Sequence, residues 1–183
     1  MMMRFQEIEK LAMEAGFTHA VPLAIETIDL KAEVRDMCAS GNCHKYGKCW
    51  SCPPACGTLE ECRERIRHYN SGVLVQTVGE LEDALDGEGM MEAEAKHKKS
   101  FDLLYAELRK VMPHMLALGA GACTRCKVCS YPDAPCRQPD KMVSSMEAYG
   151  MLVTEICKRN NLQYYYGANT IAYVGCFLFG KDC

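Results

Sequence analysis

Apolar residues recur at helical spacing near the start of the chain and predict a first amphipathic helix. The residues that form this stripe are Phe5, Ile8, Leu11, Ala12 and Ala15. Gly16 is placed to end the helix, because glycine readily adopts the left-handed conformation that closes many helices. The residues from Thr18 to Ile25 then predict a strand near a sheet edge, since Pro22 cannot donate a ladder hydrogen bond.

A short second helix is expected next, with Asp29 as its cap. Leu30, Val34 and Met37 would share one face of this helix. It would place Cys38 at its C-terminal end. The loop from position 41 to 57 holds several Gly and Pro residues among its cysteines, so it is expected to lack regular structure.

The middle of the chain alternates between helix and strand patterns. Thr58 and Glu61 form a capping box for a helix that runs to about Tyr69. An apolar strand over residues 72–78 follows, and then an acidic surface turn. A long helix is predicted from about residue 90 to 112, ended by Pro113, and a short strand over 115–119 leads into the second group of cysteines.

The last third of the chain predicts one helix and a β-hairpin. Ser144 or Ser145 is expected to cap the helix, and residues 164–166 and 171–179 are expected to pair across a turn at 167–170. The fold class is therefore α/β or α+β, with a mixed sheet, flanking helices, two cysteine-rich metal-binding loops and a C-terminal β-hairpin. Residues 1–183 are expected to form a single cysteine-rich domain.

The cysteine content indicates that a protein of this fold class could bind metal. The chain of 183 residues contains 13 cysteines, and most of them fall in two short runs. The first run is Cys38, Cys43, Cys49, Cys52, Cys56 and Cys62. The second run is Cys123, Cys126, Cys129 and Cys136.

The second run has the spacing C-x2-C-x2-C-x6-C, which is typical of iron–sulfur sites. Three thiolates on one short loop can contact one face of a [4Fe–4S] cluster while a fourth completes the site. Zinc is the main alternative, although zinc sites usually pair two separate C-x2-C segments. Disulfides fit poorly, because the count is odd and the first 16 residues do not resemble a secretory signal.

Charge and hydropathy exclude several classes of partner. The net charge is −3 and no basic block is present, which disfavours nucleic-acid binding. No apolar run reaches the roughly 18 residues needed to span a membrane. We expect a cytoplasmic protein in a reducing compartment, with an oligomeric state that the sequence leaves open.

The segments around both runs resemble a known family. The first carries Cys38, Asn42-Cys43, Trp50 and Cys52-Pro-Pro, and the second carries Cys123, Cys126, Cys129-Ser-Tyr-Pro and Pro135-Cys136-Arg137. These motifs resemble the predicted metal-binding proteins called domain of unknown function 2284, of anaerobic bacteria and archaea. The resemblance covers nearly the whole chain and implies metal binding without naming a substrate.

The cysteines divide into ligands for two sites. The second site would use Cys123, Cys126, Cys129 and Cys136. Loop position and the family resemblance select Cys38, Cys43 and Cys52 for the first site, with Cys62 as the fourth thiol, while Cys56 and Cys49 are alternatives. The alternative for Cys62 is a core thiol, because it shares a helix face with Leu59 and Ile66, but the start of a helix is a favourable place for an anionic cluster. Cys157, Cys176 and Cys183 are expected to lie outside both sites.

Aromatic and basic residues flank the cysteines. Tyr46, Trp50 and Tyr131 are expected to shield a bound cluster from water. Arg137 could pair with the negative charge of the cluster, or instead with Asp133 or Glu147.

Three function classes follow from these residues. The first is an electron carrier with two [4Fe–4S] clusters and a protein redox partner. The second is an enzyme with an open-site or thiol-assisted cluster, suggested by the surplus thiols of the first run. The third is a zinc-stabilised interaction module. The sequence does not decide whether the protein is an enzyme, and no hydrolase, kinase or dehydrogenase motif is present.

Overall fold

The computed structural model describes residues 4–41 and 43–180, so Asn42 and Cys183 lie outside the described residues. Five α-helices are present there: α1 (Phe5–Ala15), α2 (Ala32–Ala39), α3 (Leu59–Ile66), α4 (Gly87–Val111) and α5 (Val153–Arg159). The strands of the same residues are β1 (His19–Leu23), β2 (Tyr69–Glu80), β3 (Leu116–Gly119), β4 (Ser144–Ser145) and β5 (Thr170–Gly180).

The five strands form one mixed sheet in the order β1-β2-β5-β3-β4. All neighbouring pairs are antiparallel except β3 and β4, which are parallel. β1 is an edge strand, as the position of Pro22 predicted, since proline has no N–H for a second neighbour. The mixed sheet and its flanking helices confirm the predicted fold class.

Alternate residues of the central strands face two separate apolar layers. Val73 and Val75 of β2 pack with α1 and α4, and Leu74 between them packs with α3 and α5. β5 follows the same alternation, with Phe177 on the first side and Cys176 on the second. The sheet is therefore covered by helices on both faces, as its period-2 burial requires.

Local capping signals set the ends of several helices as predicted. α1 ends at Gly16, whose φ of 103° lies in the left-handed region. Thr58 accepts a hydrogen bond from the Glu61 N–H, and the Glu61 carboxylate accepts one from the Thr58 N–H. α4 begins at Gly87, three residues before its predicted start, because Asp86 accepts a hydrogen bond from the Gly89 N–H.

The predicted cap of the second helix is wrong. α2 begins at Ala32, and Leu30 precedes it in a β-bridge with Met151. The Lys31 N–H donates to the Gly150 carbonyl at 2.8 Å. Gly150 has φ 85°, and a β-carbon there would lie 2.9 Å from the Lys31 carbonyl oxygen. Glycine thus allows the backbones of Lys31 and Gly150 to approach closely. This contact places the start of α2 against residues 147–149.

Two predictions for the last third of the chain are also wrong. Ser144 and Ser145 form β4 by pairing with Leu118 and Gly119. Ser145 Oγ accepts a hydrogen bond from the Ala148 N–H, but the helix there is only the 3-10 turn Glu147–Tyr149, so the predicted continuous α-helix is wrong. Residues 164–166 are not a strand, so the C-terminal element is the single strand β5 and not a hairpin. Tyr166 instead stacks on His19 and donates a hydrogen bond to Gln76, which directs its segment across the sheet face.

Candidate metal centre

The second cysteine run lies in the loop that connects β3 to β4, and it encloses a small cavity. All four of its thiols line this cavity. A fifth thiol, from Cys49 of the first run, lines the same cavity and lies next to Cys129. We call these five residues the five-thiol group; they are Cys49, Cys123, Cys126, Cys129 and Cys136.

Polar contacts brace the loop that carries the five-thiol group. Arg125 binds Asp102 of α4 through both guanidinium nitrogens, with one contact of 2.6 Å. Gln138 Nε2 donates to the Arg125 carbonyl at 3.1 Å and lies 3.7 Å from Cys126 Sγ. Arg137 lines the cavity and donates to the Val128 carbonyl. The loop is therefore tied to the longest helix and to itself.

Ser51 joins the two cysteine runs. Its hydroxyl is buried, accepts a hydrogen bond of 3.1 Å from the Cys123 N–H, and lies 3.8 Å from Cys52 Sγ. A single serine side chain thus contacts a residue of each run.

Trp50 packs between the same two loops. Its indole N–H donates to the Ala134 carbonyl at 3.0 Å, and its ring contacts Tyr131 edge-on with centroids 4.9 Å apart. Trp50 also lines the five-thiol cavity. Tyr46, the other proposed shield, is 38% exposed and lies in a turn after Cys43.

The remaining thiols of the first run form a second group beside α2 and α3. Cys38 comes from the last turn of α2, Cys43 is exposed, and Cys52 and Cys56 are buried. Cys62 is fully buried in the first half of α3, within the apolar layer under the sheet. We call these five residues the α2–α3 thiol group; they are Cys38, Cys43, Cys52, Cys56 and Cys62.

The α2–α3 thiols influence one another electrostatically. Burial raises the pKa of Cys38, and negative charge at Cys43 and Cys56 raises it further. Burial likewise raises the pKa of Cys52 to about 12, with smaller contributions from Cys49, Cys43 and Cys56. Ionisation of one of these thiols therefore disfavours ionisation of its neighbours, and a bound cation would remove that penalty.

Two arginines converge on the Cys56–Cys62 pair. Arg35 donates to the Gly57 carbonyl at 2.8 Å and lies 3.8 Å from Cys56 Sγ. Arg65 donates to the Cys56 carbonyl at 2.7 Å. The adjacent Cys56 thiol is the main cause of a lowered pKa at Cys62, and both arginines add to it.

Backbone N–H groups stabilise negative charge in the five-thiol group. Burial opposes ionisation of Cys129, but hydrogen bonds with the backbone of Tyr131 and Trp50 lower its pKa. Burial raises the pKa of Cys49, and the neighbouring Cys129 raises it further. N–H groups aimed at cysteine sulfur are one way in which proteins tune iron–sulfur sites.

A larger cavity of about 530 Å³ lies beside the two thiol groups. Cys56 lines it from the α2–α3 group and Cys136 from the five-thiol group. Arg65, Tyr149 and Trp50 also contribute to its walls. The cavity therefore reaches one thiol of each group.

The donor chemistry at both places suits a thiophilic metal or an iron–sulfur cluster, because the side chains concerned are soft sulfur ligands. The twelve cysteines of the described residues are all free thiols. Cys157 and Cys176 are buried in the apolar layer under the sheet. Within residues 4–41 and 43–180, no three His, Cys, Asp or Glu side chains are grouped so that they could hold a metal ion as they stand.

Comparison with known families agrees with this chemistry. The model of the family described as "Predicted metal-binding protein (DUF2284)" matches residues 21–179. The chain belongs to this family. Its match includes both cysteine runs, Trp50 and Arg137, and it confirms the resemblance stated from the sequence motifs.

No curated protein and no solved structure gave a significant match to the chain. Family membership therefore supports metal binding and leaves the metal and the reaction to be argued from the residues. None of the helices in the described part of this family member has the length and apolar character needed to cross a membrane.

Sequence reasoning missed several residues of the site. Cys49 was an alternative ligand of the first site only, whereas the structure places it in the cavity of the second run. Ser51 carries no motif of its own, and no sequence spacing links Arg125 to Asp102. These contacts join parts of the chain that are far apart in sequence, so only the folded structure brings them together.

Proposed function

We propose that this chain is a cytoplasmic iron–sulfur protein that binds two [4Fe–4S] clusters and transfers electrons to or from a protein partner. The observation that carries the proposal is the cavity lined by five thiols, four of which have C-x2-C-x2-C-x6-C spacing. The family description supports the metal-binding part of this proposal.

The second cluster would be held by Cys123, Cys126, Cys129 and Cys136. The amide N–H of Gln138 is placed to donate toward Cys126 Sγ, and the cationic Arg137 lines the same cavity. Both features favour a negatively charged group and tune its potential. Trp50 covers the cavity and limits the access of water.

The first cluster would be held by Cys38, Cys43 and Cys52, with the Cys56–Cys62 pair closing the site. Cys62 was the fourth ligand expected from the sequence. We favour Cys56, because its N–H donates to the Cys52 carbonyl at 3.0 Å and holds both residues in one turn, whereas Cys62 lies within the apolar layer under the sheet. Arg35 and Arg65 would offset the negative charge of the thiolates.

An iron–sulfur cluster, when bound, supplies one-electron redox chemistry. The protein residues would hold the thiolates in place, exclude water and set the distance between the two sites. Ser51 serves this last role, since its hydroxyl contacts both runs. A direct connection of this kind suits transfer of an electron from one site to the other.

Anaerobic purification with analysis of iron, acid-labile sulfide and zinc tests the proposal. We expect brown protein with about eight irons and as much sulfide per chain, from two four-iron clusters. Cys157→Ala is the matched control, because Cys157 is a buried thiol of the apolar layer outside both groups, and its iron content should equal that of the wild type.

Colourless protein with stoichiometric zinc and no sulfide would favour the zinc-stabilised module instead. Four irons per chain, rather than eight, would limit the proposal to one cluster.

A catalytic role is the second candidate. The observation that favours it is the cavity of about 530 Å³ that reaches Cys56 and Cys136. An electron-transfer protein does not need such a cavity, whereas an enzyme needs a place for its substrate.

A further inference from the structure

The cavity between the two thiol groups has the dimensions of a small-molecule site. Its volume of about 530 Å³ falls within the range of about 300–1,000 Å³ that is usual for ligand pockets. Its walls combine apolar surface from Trp50, Met142 and two prolines with a few polar groups. This mixture of apolar walls and few polar groups is characteristic of binding sites for organic molecules.

Arg65 supplies the positive charge of the cavity. Its guanidinium is held in place because Nη1 donates to the Cys56 carbonyl at 2.7 Å and to the Tyr149 hydroxyl at 3.2 Å. No carboxylate in the described part of the chain forms an ion pair with Arg65. Glu61 lies one turn earlier on α3 and interacts with Arg65 electrostatically, but its carboxylate accepts a hydrogen bond from the Thr58 N–H. The oriented guanidinium of Arg65 is therefore suited to bind an anionic group of a ligand.

A negatively charged residue in the cavity wall limits how much negative charge a ligand can carry there. Asp133 lies on the exposed side of the lining and is the acidic residue there. One arginine and one aspartate favour a monoanion over a dianion, because a second negative charge would meet no second cation. A carboxylate therefore fits better than a phosphate monoester.

We propose that this cavity binds a small carboxylate with an apolar body, with Arg65 holding the carboxylate and Trp50 and Met142 contacting the rest. This inference goes beyond electron transfer. A ligand in this cavity would lie beside one thiol of each group, Cys56 and Cys136. It would thus occupy the position of a substrate in the catalytic alternative.

Calorimetric titration of the anaerobically isolated protein tests the proposal, with benzoate and hexanoate as carboxylate probes. Benzyl alcohol serves as the uncharged probe and phenyl phosphate as the dianionic probe. We expect at least one carboxylate to bind at millimolar concentrations or below, and the alcohol and the phosphate to bind at least about tenfold more weakly. Trp50 is the only tryptophan of the chain, so its fluorescence should change during the same titration.

Three variants locate the binding. Arg65→Gln should weaken carboxylate binding about tenfold or more, because a charge-assisted hydrogen bond is lost. Ala55→Leu should weaken it by filling the cavity without changing its charge. Arg63→Gln is the matched control, since Arg63 lies on the same helix but pairs with Glu60 outside the cavity, and it should bind as the wild type does.

Metal analysis of the same samples separates this inference from the cluster proposal. Zinc-containing protein that binds benzoate would overturn the cluster proposal and leave this one standing. Failure of both carboxylates to bind, tighter binding of phenyl phosphate, or equal binding by a folded Arg65→Gln protein would each overturn it. If Arg65→Gln does not fold, unchanged binding by Ala55→Leu would have the same consequence.

Discussion

At the scale of single residues, Cys49 changes how the site is understood. It belongs to the first run in sequence, yet its thiol lines the cavity of the second run and lies next to Cys129. Ser51, two residues later, contacts a residue of each run. The segment from Cys49 to Cys52 therefore belongs to both sites.

The position of Cys49 predicts that it can replace Cys129 as a ligand. Cys129→Ser and Cys49→Ser should each retain nearly all of the iron, because either thiol can reach the same place beside the cavity. The double variant should lose one cluster, which is about half of the iron. Iron and sulfide analysis of the three proteins measures this effect.

Cys126→Ser serves as the comparison for this experiment. Among the described residues, the Cys49 thiol interacts through a hydrogen bond with Cys129 and not with Cys126, so this single change should lower the iron content by itself. Loss of half of the iron in Cys129→Ser alone would show that Cys49 cannot take its place.

A second residue-scale prediction concerns the fourth ligand of the first site. Cys56→Ser should remove about half of the iron, whereas Cys62→Ser should retain most of it and mainly lower stability. Cys62 is completely buried beside Ile66, so serine there would place a hydroxyl in apolar surroundings. Parallel iron analysis and thermal unfolding distinguish the two roles, and the reverse pattern would restore Cys62 as the ligand.

At the scale of elements, helix α4 positions the loop of the second run. Asp102 on α4 binds Arg125 in the loop through two contacts. Tyr105 of the same helix donates a hydrogen bond to the Asp140 carbonyl near the end of the loop. The longest helix thus supports one cysteine loop along its exposed side, while its buried side packs on the sheet.

Removal of the ion pair between Asp102 of α4 and Arg125 should make the metal site less rigid. Asp102→Asn should cost about 1 kcal/mol of stability, since a bidentate ion pair that is partly exposed contributes roughly that much. The variant should also release iron to a chelator several-fold faster than the wild type. Glu107→Gln is the control, because Glu107 pairs with Lys110 on the exposed surface of the same helix and should release iron at the normal rate.

Helix α4 also carries a buried histidine that should make stability depend on pH. His97 is completely buried, its Nδ1 lies 3.0 Å from Thr77 Oγ1, and its Nε2 has no hydrogen-bond partner among the described residues. Burial lowers its pKa from 6.5 to about 4, and Lys98 adds to this. Between about pH 4 and pH 6.5, His97 therefore binds a proton in the unfolded chain but not in the folded chain.

The free energy of unfolding should consequently fall as the pH drops below about 6.5, by about 2 kcal/mol at pH 5. His97→Phe should remove this component, because phenylalanine cannot take up a proton and the site is already lined by Phe17 and Phe101. Denaturant unfolding of both proteins at pH 7.5 and pH 5 measures the difference. An equal loss of stability in both proteins would assign the acid sensitivity to other groups.

Local signals explain which elements could be predicted from the sequence. The stripe from Phe5 to Ala15 and the Thr58–Glu61 capping box depend on neighbours within a few residues, and both were predicted correctly. Ser144 resembled a helix cap, but its pairing with Leu118 of β3 decided its structure. Tyr166 resembled a strand residue, but its contacts with His19 and Gln76 are remote in sequence.

The candidate site could likewise be predicted where it depends on spacing within a short segment, and not where it depends on contacts between distant segments. Spacing alone selected the four thiols of the second run, and all four line one cavity. It could not place Cys49 there, because the loops of the two runs meet through Ser51 and Trp50. Remote contacts of this kind leave no periodic pattern in the sequence.

At the scale of the whole molecule, the two thiol groups lie side by side and share one connecting segment. Cys52 of the α2–α3 group follows Ser51 directly, and Ser51 binds the backbone of Cys123 in the five-thiol group. Two clusters held in this way would be close enough for their unpaired electrons to interact. The cavity of about 530 Å³ opens beside both groups, so a ligand bound in it would lie near both of them.

This arrangement predicts magnetic coupling between the clusters. The EPR spectrum of the fully reduced protein should be broadened or split by interaction of two spins, because both clusters then carry an unpaired electron. Cys126→Ser, which removes one cluster, should leave a simple spectrum from the other. Benzoate should leave the wild-type spectrum unchanged if every iron is bound by cysteine. A shift on addition of benzoate would reveal an iron open to ligands and favour the catalytic role, whereas two uncoupled spectra would place the clusters far apart.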